Sequence, residues 1–403
     1  MNTGQDPLHL AVALDGAGWH PAAWRSPGAE PARLFAADYW SALLTEAERG
    51  RLDFVTLEDA LGLQSDPFHR PDERTDQVRG GLDAVLLAAR LAPATRYIGL
   101  VPTANTTHTE PFHLAAGIAT LDYAARGRAG WRPQISSRAA DAALFGRRVT
   151  PQLTDEDIRD PEAIARRLRP LFAEAGDVVE AVRRLWDSWE DDAEIRDVPT
   201  GRFLDRTKLH HIDFVSPLFT VRGPSITPRP PQGQPVIASL AHASIPYEFA
   251  ARSADVVFTT PHDRTEVAGV LGAIEDAVEG VGRDTVAQPL KRFADLIVIL
   301  EESAAQAIER KEWLDELAGK PLASDAAVFA GSPAALADLL LDWHAAGLDG
   351  FRLRPAELPR DLVAVTRGLV PELQRRGAFR QDYAAATLRG HLGLARPVSR
   401  YAV

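Results

Sequence analysis

The residues of this chain that could do chemistry follow short apolar segments. Asp59 comes directly after LDFVTLE, Thr103 ends YIGLVPT, and Arg132 lies within RAGWRPQIS. His242 and Ser244 come shortly after PVIASL. A carboxylate, a hydroxyl, a guanidinium and an imidazole can each bind or orient a polar ligand. Because the apolar segments are typical of buried parallel strands, these side chains are expected at strand ends.

These side chains do not form a recognisable reaction centre by themselves. A metal site needs a compact cluster of ligands, but the only adjacent histidines are His210 and His211, in a polar connection. Glu58 and Asp59 are neighbours, so a strand would point them to opposite faces. Only Asp59 is then expected at the mouth, where it could bind a ligand or cap the next element. No Ser-His-Asp order is visible. No metal is expected, and the chemistry is expected to come from a cofactor.

Eight strand-like segments alternate with helical segments for most of the chain. This alternation requires a parallel sheet covered by helices, and eight units favour a closed (β/α)8 TIM barrel over an open doubly wound sheet. The first strand is not followed by a glycine-rich phosphate loop that opens a helix. The predicted strands cover residues 8–14, 52–58, 97–103, 128–136, 235–240, 255–260, 295–300 and 350–355.

The alternation is interrupted once, from about residue 139 to residue 221. This stretch is charged and mainly helical and shows no sign of an independent fold, so it is predicted to be an insertion after the fourth strand. Residues 1–403 are accordingly expected to form a single barrel domain. A proline-rich loop, residues 216–234, then leads into the fifth strand, and its prolines forbid helix and fix turns.

The composition excludes several classes of protein. A net charge of −11 disfavours nucleic acid as a partner, because phosphate binding needs a concentrated basic surface. The absence of cysteine excludes disulfides, thiolate metal sites and cysteine nucleophiles. The first residues lack the basic and apolar regions of a signal peptide, and no apolar run approaches the roughly 20 residues that span a bilayer. A cytoplasmic protein without a membrane partner is expected.

Long segments of the chain resemble a known family. They are similar to the bacterial luciferase-like flavin monooxygenases, in particular to the nitrilotriacetate and dibenzothiophene-sulfone monooxygenase branch. The similar segments extend almost to the C-terminus, and the most specific are AGWHPAAWRSP, TTHTEPFHLAAGIATLDYAARGRAGW and FTVRGPSITPRPPQGQPVIA.

The resemblance implies an FMN-dependent (β/α)8 barrel, usually a homodimer. Such enzymes receive reduced FMN (FMNH2) from a separate NAD(P)H:flavin reductase and use it with O2 to oxygenate a small organic substrate. A flavin peroxide then carries the chemistry, so no side chain is assigned a catalytic role. His20, in the loop after the first strand, is a candidate for the substrate side of the site.

The resemblance also implies positions for the cofactor. Asp59 and Thr103 match flavin contacts of the family, and the turn after the fifth strand would hold the FMN phosphate. Here that turn reads LAHASIP where relatives have a glycine-containing turn, so Ser244 or His242 is expected at the phosphate. Arg132 stands where the family has asparagine. It could replace lost phosphate contacts as a bidentate donor or form a structural ion pair inside the barrel.

Two other functions are compatible with the sequence. One is an F420-dependent oxidoreductase of the same superfamily, which would transfer hydride without oxygen. The other is a degenerate barrel that no longer binds flavin tightly and serves as a non-catalytic subunit. The altered turn after the fifth strand keeps the first alternative open, and luciferase-type assemblies that contain one inactive chain support the second.

We expect Asp59→Ala and Thr103→Ala each to weaken the binding of reduced FMN by about tenfold, since each would remove one polar contact of the ligand. Anaerobic titration of the purified variants measures this. Circular dichroism should show that both variants remain folded, and unchanged affinity in both would remove these two residues from the site.

Overall fold

The computed structural model describes residues 7–65, 70–286 and 288–402. Within them, eight parallel strands close into a barrel, because each of the eight is paired with a neighbour on both sides; the strand that begins at His9 pairs with the one that begins at Gly350, and the strand that begins at Val256 pairs with the one that begins at Lys291. The predicted fold class is therefore confirmed. The strands are β1 (His9–Leu14), β2 (Phe54–Leu57), β3 (Gly99–Asn105), β4 (Gly130–Gln134), β5 (Glu194–Asp197), β6 (Arg202–Leu204), β7 (Phe214–Val215), β8 (Thr220–Val221), β9 (Val236–Leu240), β10 (Val256–Thr259), β11 (Lys291–Leu300), β12 (Ala327–Gly331) and β13 (Gly350–Pro355).

Helices cover the outside of the barrel. None of those described combines the length and the apolarity that crossing a membrane would require. They are α1 (Ala37–Arg49), α2 (Ala84–Leu91), α3 (Pro111–Ala124), α4 (Ala139–Phe145), α5 (Asp155–Arg159), α6 (Pro161–Asp187), α7 (Ser244–Ser253), α8 (Arg264–Gly280), α9 (Ala304–Ala318), α10 (Pro333–Ala345), α11 (Arg360–Ala364), α12 (Val370–Arg375) and α13 (Leu388–His391), with a π-helical turn, Val365–Leu369, joining α11 to α12.

The strands form where apolar and β-branched residues are concentrated. All six residues of β1 and all four residues of β2 are buried, as expected for strands covered on both faces. The ring consists of β1, β2, β3, β4, β9, β10, β11 and β13 in this order. The ninth strand of the same sheet, β12, lies outside the ring, since it pairs with the second half of β11, while β10 pairs with its first half. The longer β11 therefore extends beyond the ring and carries an extra strand at the carboxyl end of the barrel.

The chain between β4 and β9 contains α4 to α6 and two short hairpins, β5–β6 and β7–β8. The 27-residue helix α6 contributes Val178, Val182 and Leu185 to the core that also contains Trp131 and Ile237 of the barrel. Because α6 packs between α3 and α7, it occupies the place of the covering helix between the fourth and fifth barrel strands.

Buried polar side chains hold the proline-rich loop that leads into β9. The side chain of Gln232 donates to Asp122 Oδ1 at 2.7 Å and to the Ala129 carbonyl at 2.8 Å. Arg229, also buried, donates from Nε to Asp187 Oδ1 at 2.9 Å. These contacts join the loop to α3, to the start of β4 and to α6. The position at which β9 enters the barrel is thereby fixed.

A buried carboxylate ties the base of the barrel to the C-terminal segment. Asp53 is completely buried and accepts hydrogen bonds from the Leu10 N–H at 2.8 Å, from His9 Nδ1 at 3.0 Å and from Arg380. Burial alone would raise the pKa of Asp53, but His9, Arg380 and the Leu10 N–H hold it below its ordinary value. Nearby, Leu388 of α13 packs among aromatic residues of the barrel interior.

We expect Asp53→Ala to lower the free energy of unfolding by about 3 kcal/mol, because it leaves the Arg380 charge and the Leu10 N–H without their partner. Urea denaturation followed by circular dichroism measures the change. Glu309→Ala, at an exposed position on α9, is the control and should change the free energy of unfolding by less than about 0.5 kcal/mol. Equal effects of the two substitutions would show that Asp53 does not anchor the base.

Candidate functional site

A cavity of about 460 Å³ opens at the carboxyl ends of β1 and β2. This is the end of a (β/α)8 barrel where ligand sites form, and the volume lies within the range of small-molecule pockets. Most of its wall is apolar, and its acidic side chains come from the residues that directly follow β1 and β2. The apolar side chains are Trp19, Leu34, Phe35, Trp40, Leu57, Leu61, Leu63, Val78, Leu82, Leu87 and Leu144, and the polar ones are Asp15, Glu58, Asp59 and Gln64.

Glu58 connects this cavity to a network of charges inside the barrel. Its carboxylate accepts hydrogen bonds from Arg132 Nη2, from Arg352 Nη1 at 3.2 Å and from Thr56 Oγ1 at 3.1 Å. Arg132 also donates from Nε to Thr103 Oγ1 at 2.9 Å. The three partners of Glu58 come from three different strands: Thr56 from β2, Arg132 from β4 and Arg352 from β13.

The network continues across the barrel through Asp295. Arg352 Nε donates to Asp295 Oδ1 at 2.8 Å, and Arg354 Nε donates to Asp295 Oδ2 at 2.9 Å. Burial alone would raise the pKa of Asp295, but the two guanidinium groups lower it. Arg354 also donates to Asp325 Oδ1 at 2.7 Å, outside the ring. A chain of alternating charges therefore runs beneath the barrel mouth.

Aromatic rings complete the surroundings of these arginines. The guanidinium of Arg352 lies 4.1 Å from the ring centroid of Phe258, and that of Arg354 lies 4.5 Å from the ring of Trp19. Such stacking favours a desolvated cation. Because their charges are paired and their faces covered, both arginines are positioned rigidly rather than free to reach a ligand.

Asp15 differs from the other acids at the mouth. It follows β1 directly and lines the cavity, and no hydrogen bond or ion pair to its carboxyl is found among the described residues. Burial and the neighbouring charge of Glu58 raise the pKa of Asp15 to about 7, against a smaller opposite effect of Arg132. At neutral pH this carboxyl is therefore divided between its protonated and ionised forms.

Asp59 and Thr103, the two residues that the sequence assigns to the flavin, are in different environments. Asp59 lines the cavity, where its carboxylate accepts from the N–H groups of Ala60 at 2.7 Å and Ala84 at 3.0 Å. Asp59 thereby fastens the loop to the start of α2. This agrees with the predicted alternative in which Asp59 caps the next element. Thr103 is completely buried and contacts Arg132, so it acts on the site through that guanidinium.

The turn after β9 presents the other predicted cofactor residues. His242, Ala243 and Ser244 are all exposed, and α7 begins at Ser244 without a side-chain cap. The first N–H groups of such a helix are available to an anion. Leu240 turns inward against the aromatic residues of the barrel interior. Arg132 is not part of this turn, since it is buried in the network with Glu58.

His20 is not among the residues that line the cavity. Its ring is buried, Nδ1 accepts from the Ala22 N–H at 3.1 Å, and Nε2 therefore donates to Asp315 Oδ1, also at 3.1 Å. Burial lowers the pKa of His20, and Asp315 offsets this only in part. His20 thus joins the loop after β1 to α9. No group of three or more histidine, aspartate or glutamate side chains with metal-site geometry is found among the described residues.

Sequence reasoning missed Asp15 and misplaced Glu58. The alternation of faces along a strand predicts that only Asp59 faces the mouth, but β2 ends at Leu57, so both Glu58 and Asp59 reach the cavity from the loop. For Asp15 the available signal was its position directly after the first strand, which is where barrel ligand sites are built.

We expect Asp15→Asn to stabilise the protein in a pH-dependent way. Its carboxyl has a pKa of about 7 in the fold against an ordinary value of 3.8, so ionisation costs folding stability progressively as the pH rises between these values. The gain in the free energy of unfolding should grow by about 2 kcal/mol between about pH 5 and about pH 8. Urea denaturation at both pH values measures it.

Asp276→Asn, at an exposed position on α8, is the matched control and should give the same small difference at both pH values. An Asp15→Asn effect that did not change with pH would contradict the raised pKa.

Comparisons with known proteins indicate the family to which the chain is similar. The family model described as luciferase-like monooxygenase matches residues 17–350. The chain is 32% identical to the N-acetyl-S-(2-succino)cysteine monooxygenase of Bacillus subtilis (strain 168), with 100% of both chains covered. It is 31% identical to nitrilotriacetate monooxygenase component A of Aminobacter aminovorans, with 97% of both covered.

A solved structure shows the same fold. The crystal structure of a long-chain alkane monooxygenase superposes with a TM-score of 0.81 at 24% identity and covers 96% of each chain. The family model spans most of this chain and the two relatives align with it almost end to end. The chain is therefore a member of the luciferase-like monooxygenase family and an enzyme of the monooxygenase type.

Proposed function

We propose that this enzyme uses reduced FMN and O2 to oxygenate a small organic substrate in the cavity above β1 and β2. The observation that carries the proposal is the joint presence of full-length similarity to monooxygenases and of an apolar cavity at the mouth of the barrel. The side chains around that cavity are engaged in structural contacts or, like Asp15, can exchange a proton. A bound cofactor is therefore needed to supply the redox chemistry.

The residues present fit a flavin mononucleotide. The uncapped and exposed first turn of α7 offers N–H groups, with the Ser244 hydroxyl and the His242 imidazole beside it, which is a donor set suited to a phosphate. The aromatic and aliphatic walls of the cavity suit a planar tricyclic ring. Of the predicted residues, Ser244 and His242 would hold the phosphate, and Asp59 would border the ring.

When bound, reduced FMN would supply the two electrons that allow one oxygen atom of O2 to enter the substrate while the other leaves as water. The chain contributes the surroundings of that reaction. Trp19, Trp40 and the leucines of the wall exclude water, which protects reactive species and strengthens electrostatic contacts inside the site. The paired Glu58 and Arg132 provide fixed dipoles at its floor.

Asp15 can hold or release a proton at its carboxyl oxygen. Since its pKa lies at about 7, neither form is strongly favoured at neutral pH, as an acid-base group in a site requires. Thr103 and Thr56 support this arrangement indirectly, because Thr103 positions Arg132 and Thr56 donates directly to Glu58.

The proposal extends to partners and location. One relative is named as component A of its monooxygenase, which supports a second component that delivers reduced flavin, here an NAD(P)H:flavin reductase. We propose that the enzyme works with such a reductase as a cytoplasmic homodimer. Its net charge of −11 and the absence of a membrane-spanning helix among the described residues are compatible with this assignment.

Anaerobic titration of the purified protein with FMNH2, FMN and F420 tests the cofactor. We expect FMNH2 to bind at least about tenfold more tightly than F420. Ser244→Ala combined with His242→Ala should weaken FMNH2 binding by about tenfold or more, and should weaken the binding of reduced riboflavin, which lacks the phosphate, much less.

The matched control is Thr120→Ala, which deletes a hydroxyl at an exposed position on α3 and should leave FMNH2 affinity unchanged. Two results of the ligand titration would contradict the proposal. Preference for F420 would indicate a hydride-transferring oxidoreductase, and failure to bind any of the three ligands would indicate a non-catalytic barrel.

A further inference from the structure

The charged side chains that line the cavity above β1 and β2 are all acidic among the described residues. Among the described residues that line it are three carboxyl groups, those of Asp15, Glu58 and Asp59, and no lysine or arginine. An anionic substrate would therefore find no cationic side chain among the described residues that line the cavity.

The arginines around the cavity have other partners. Arg132 and Arg352 donate to Glu58, and Arg354, which stacks on Trp19, donates to Asp295. Arg79, in the chain between the lining residues Val78 and Gly80, donates to Asp72 at 2.9 Å.

Two of the three carboxyl groups already have partners. Glu58 is paired with two guanidinium groups, and Asp59 accepts the N–H groups of Ala60 and Ala84. The carboxyl of Asp15 has no hydrogen bond or ion pair among the described residues, although it lies at the cavity wall. Asp15 is therefore the acid that a ligand can engage without breaking an existing contact.

The polar N–H groups of the aromatic wall already have hydrogen-bond partners. The indole N–H of Trp19 donates to the Ala13 carbonyl at 3.1 Å, and that of Trp40 donates to the Leu34 carbonyl at 2.8 Å. Both rings are thus left with apolar surface toward the cavity. A substrate that fills this space is bound mainly by apolar contact, with one polar interaction point at Asp15.

We propose that the substrate is a small apolar molecule carrying a protonated amine, and that its ammonium group pairs with the Asp15 carboxylate. The inference rests on the function proposed above, since it names the substrate class of the same site. Because the flavin ring would share the cavity, the molecule is small. A cation beside the half-buried Asp15 carboxylate favours the ionised form of that group.

Isothermal titration calorimetry with three compounds of similar size tests the assignment: 2-phenylethylamine, 2-phenylethanol and 3-phenylpropionate. Each is titrated into the flavin-free protein and, anaerobically, into the protein saturated with reduced FMN. We expect the amine to bind at least about tenfold more tightly than the alcohol and the carboxylate in at least one of these forms.

Asp15→Asn should reduce the preference for the amine over the alcohol to less than about threefold while leaving the affinity for the alcohol unchanged. Asp276→Asn, which removes an exposed carboxyl on α8, is the matched control and should keep the full preference. Circular dichroism confirms that both variants are folded.

Equal or tighter binding of the carboxylate, a preference for the amine that survives Asp15→Asn, or no binding of any compound in either form would overturn the inference. The flavin titration tests the proposed function separately from this inference. A protein that selects the amine through Asp15 but binds no reduced FMN would contradict the monooxygenase mechanism and leave this ligand class intact.

Discussion

The structure around the barrel mouth depends on the neutralisation of charges that the fold has buried. Arg132, Arg352 and Arg354 point into the ring, where an unpaired guanidinium would carry a large desolvation cost. Glu58 and Asp295 offset that cost by accepting hydrogen bonds from them. Removing any one partner would leave a buried charge uncompensated, so the network is stable only as a whole.

The parallel register of the strands brings these partners together. Thr103 of β3 lies beside Arg132 of β4, and Asp295 of β11 lies beside Arg352 of β13. Neighbouring residues in register point to the same side of a sheet, so each pair meets inside the ring. The network closes the floor of the site, while the loops after β1 and β2 form its walls. A rigid charged floor beneath an apolar cavity is suited to hold a cofactor and to exclude water.

The sequence predicted the barrel well because its signal is local. Apolar runs mark the eight strands of the ring. For β13 the predicted limits, 350–355, are the observed ones. β12 was not predicted, since its residues are mostly half-buried and it pairs outside the ring. β11 begins at Lys291 rather than at residue 295, which places Asp295 within the strand instead of at its start.

The site was less accessible to sequence reasoning because its contacts join distant parts of the chain. Glu58 and Arg352 are 294 residues apart in sequence, and no local pattern indicates that they pair. The sequence leaves two roles open for Arg132, a phosphate ligand or an ion-pair partner. The contact of Arg132 with Glu58 in the structure supports the ion pair. The assignment of Asp59, Thr103, His242 and Ser244 to the cofactor stays a prediction.

We propose that the cavity above β1 and β2 holds the ring of a reduced flavin whose phosphate lies at the first turn of α7. A crystal structure of the protein prepared anaerobically with FMNH2 tests this most directly. We expect electron density for the tricyclic ring beside Asp59 and for the phosphate within hydrogen-bond distance of Ser244. A flavin bound elsewhere, or a cavity that contains no flavin under saturating FMNH2, would contradict it.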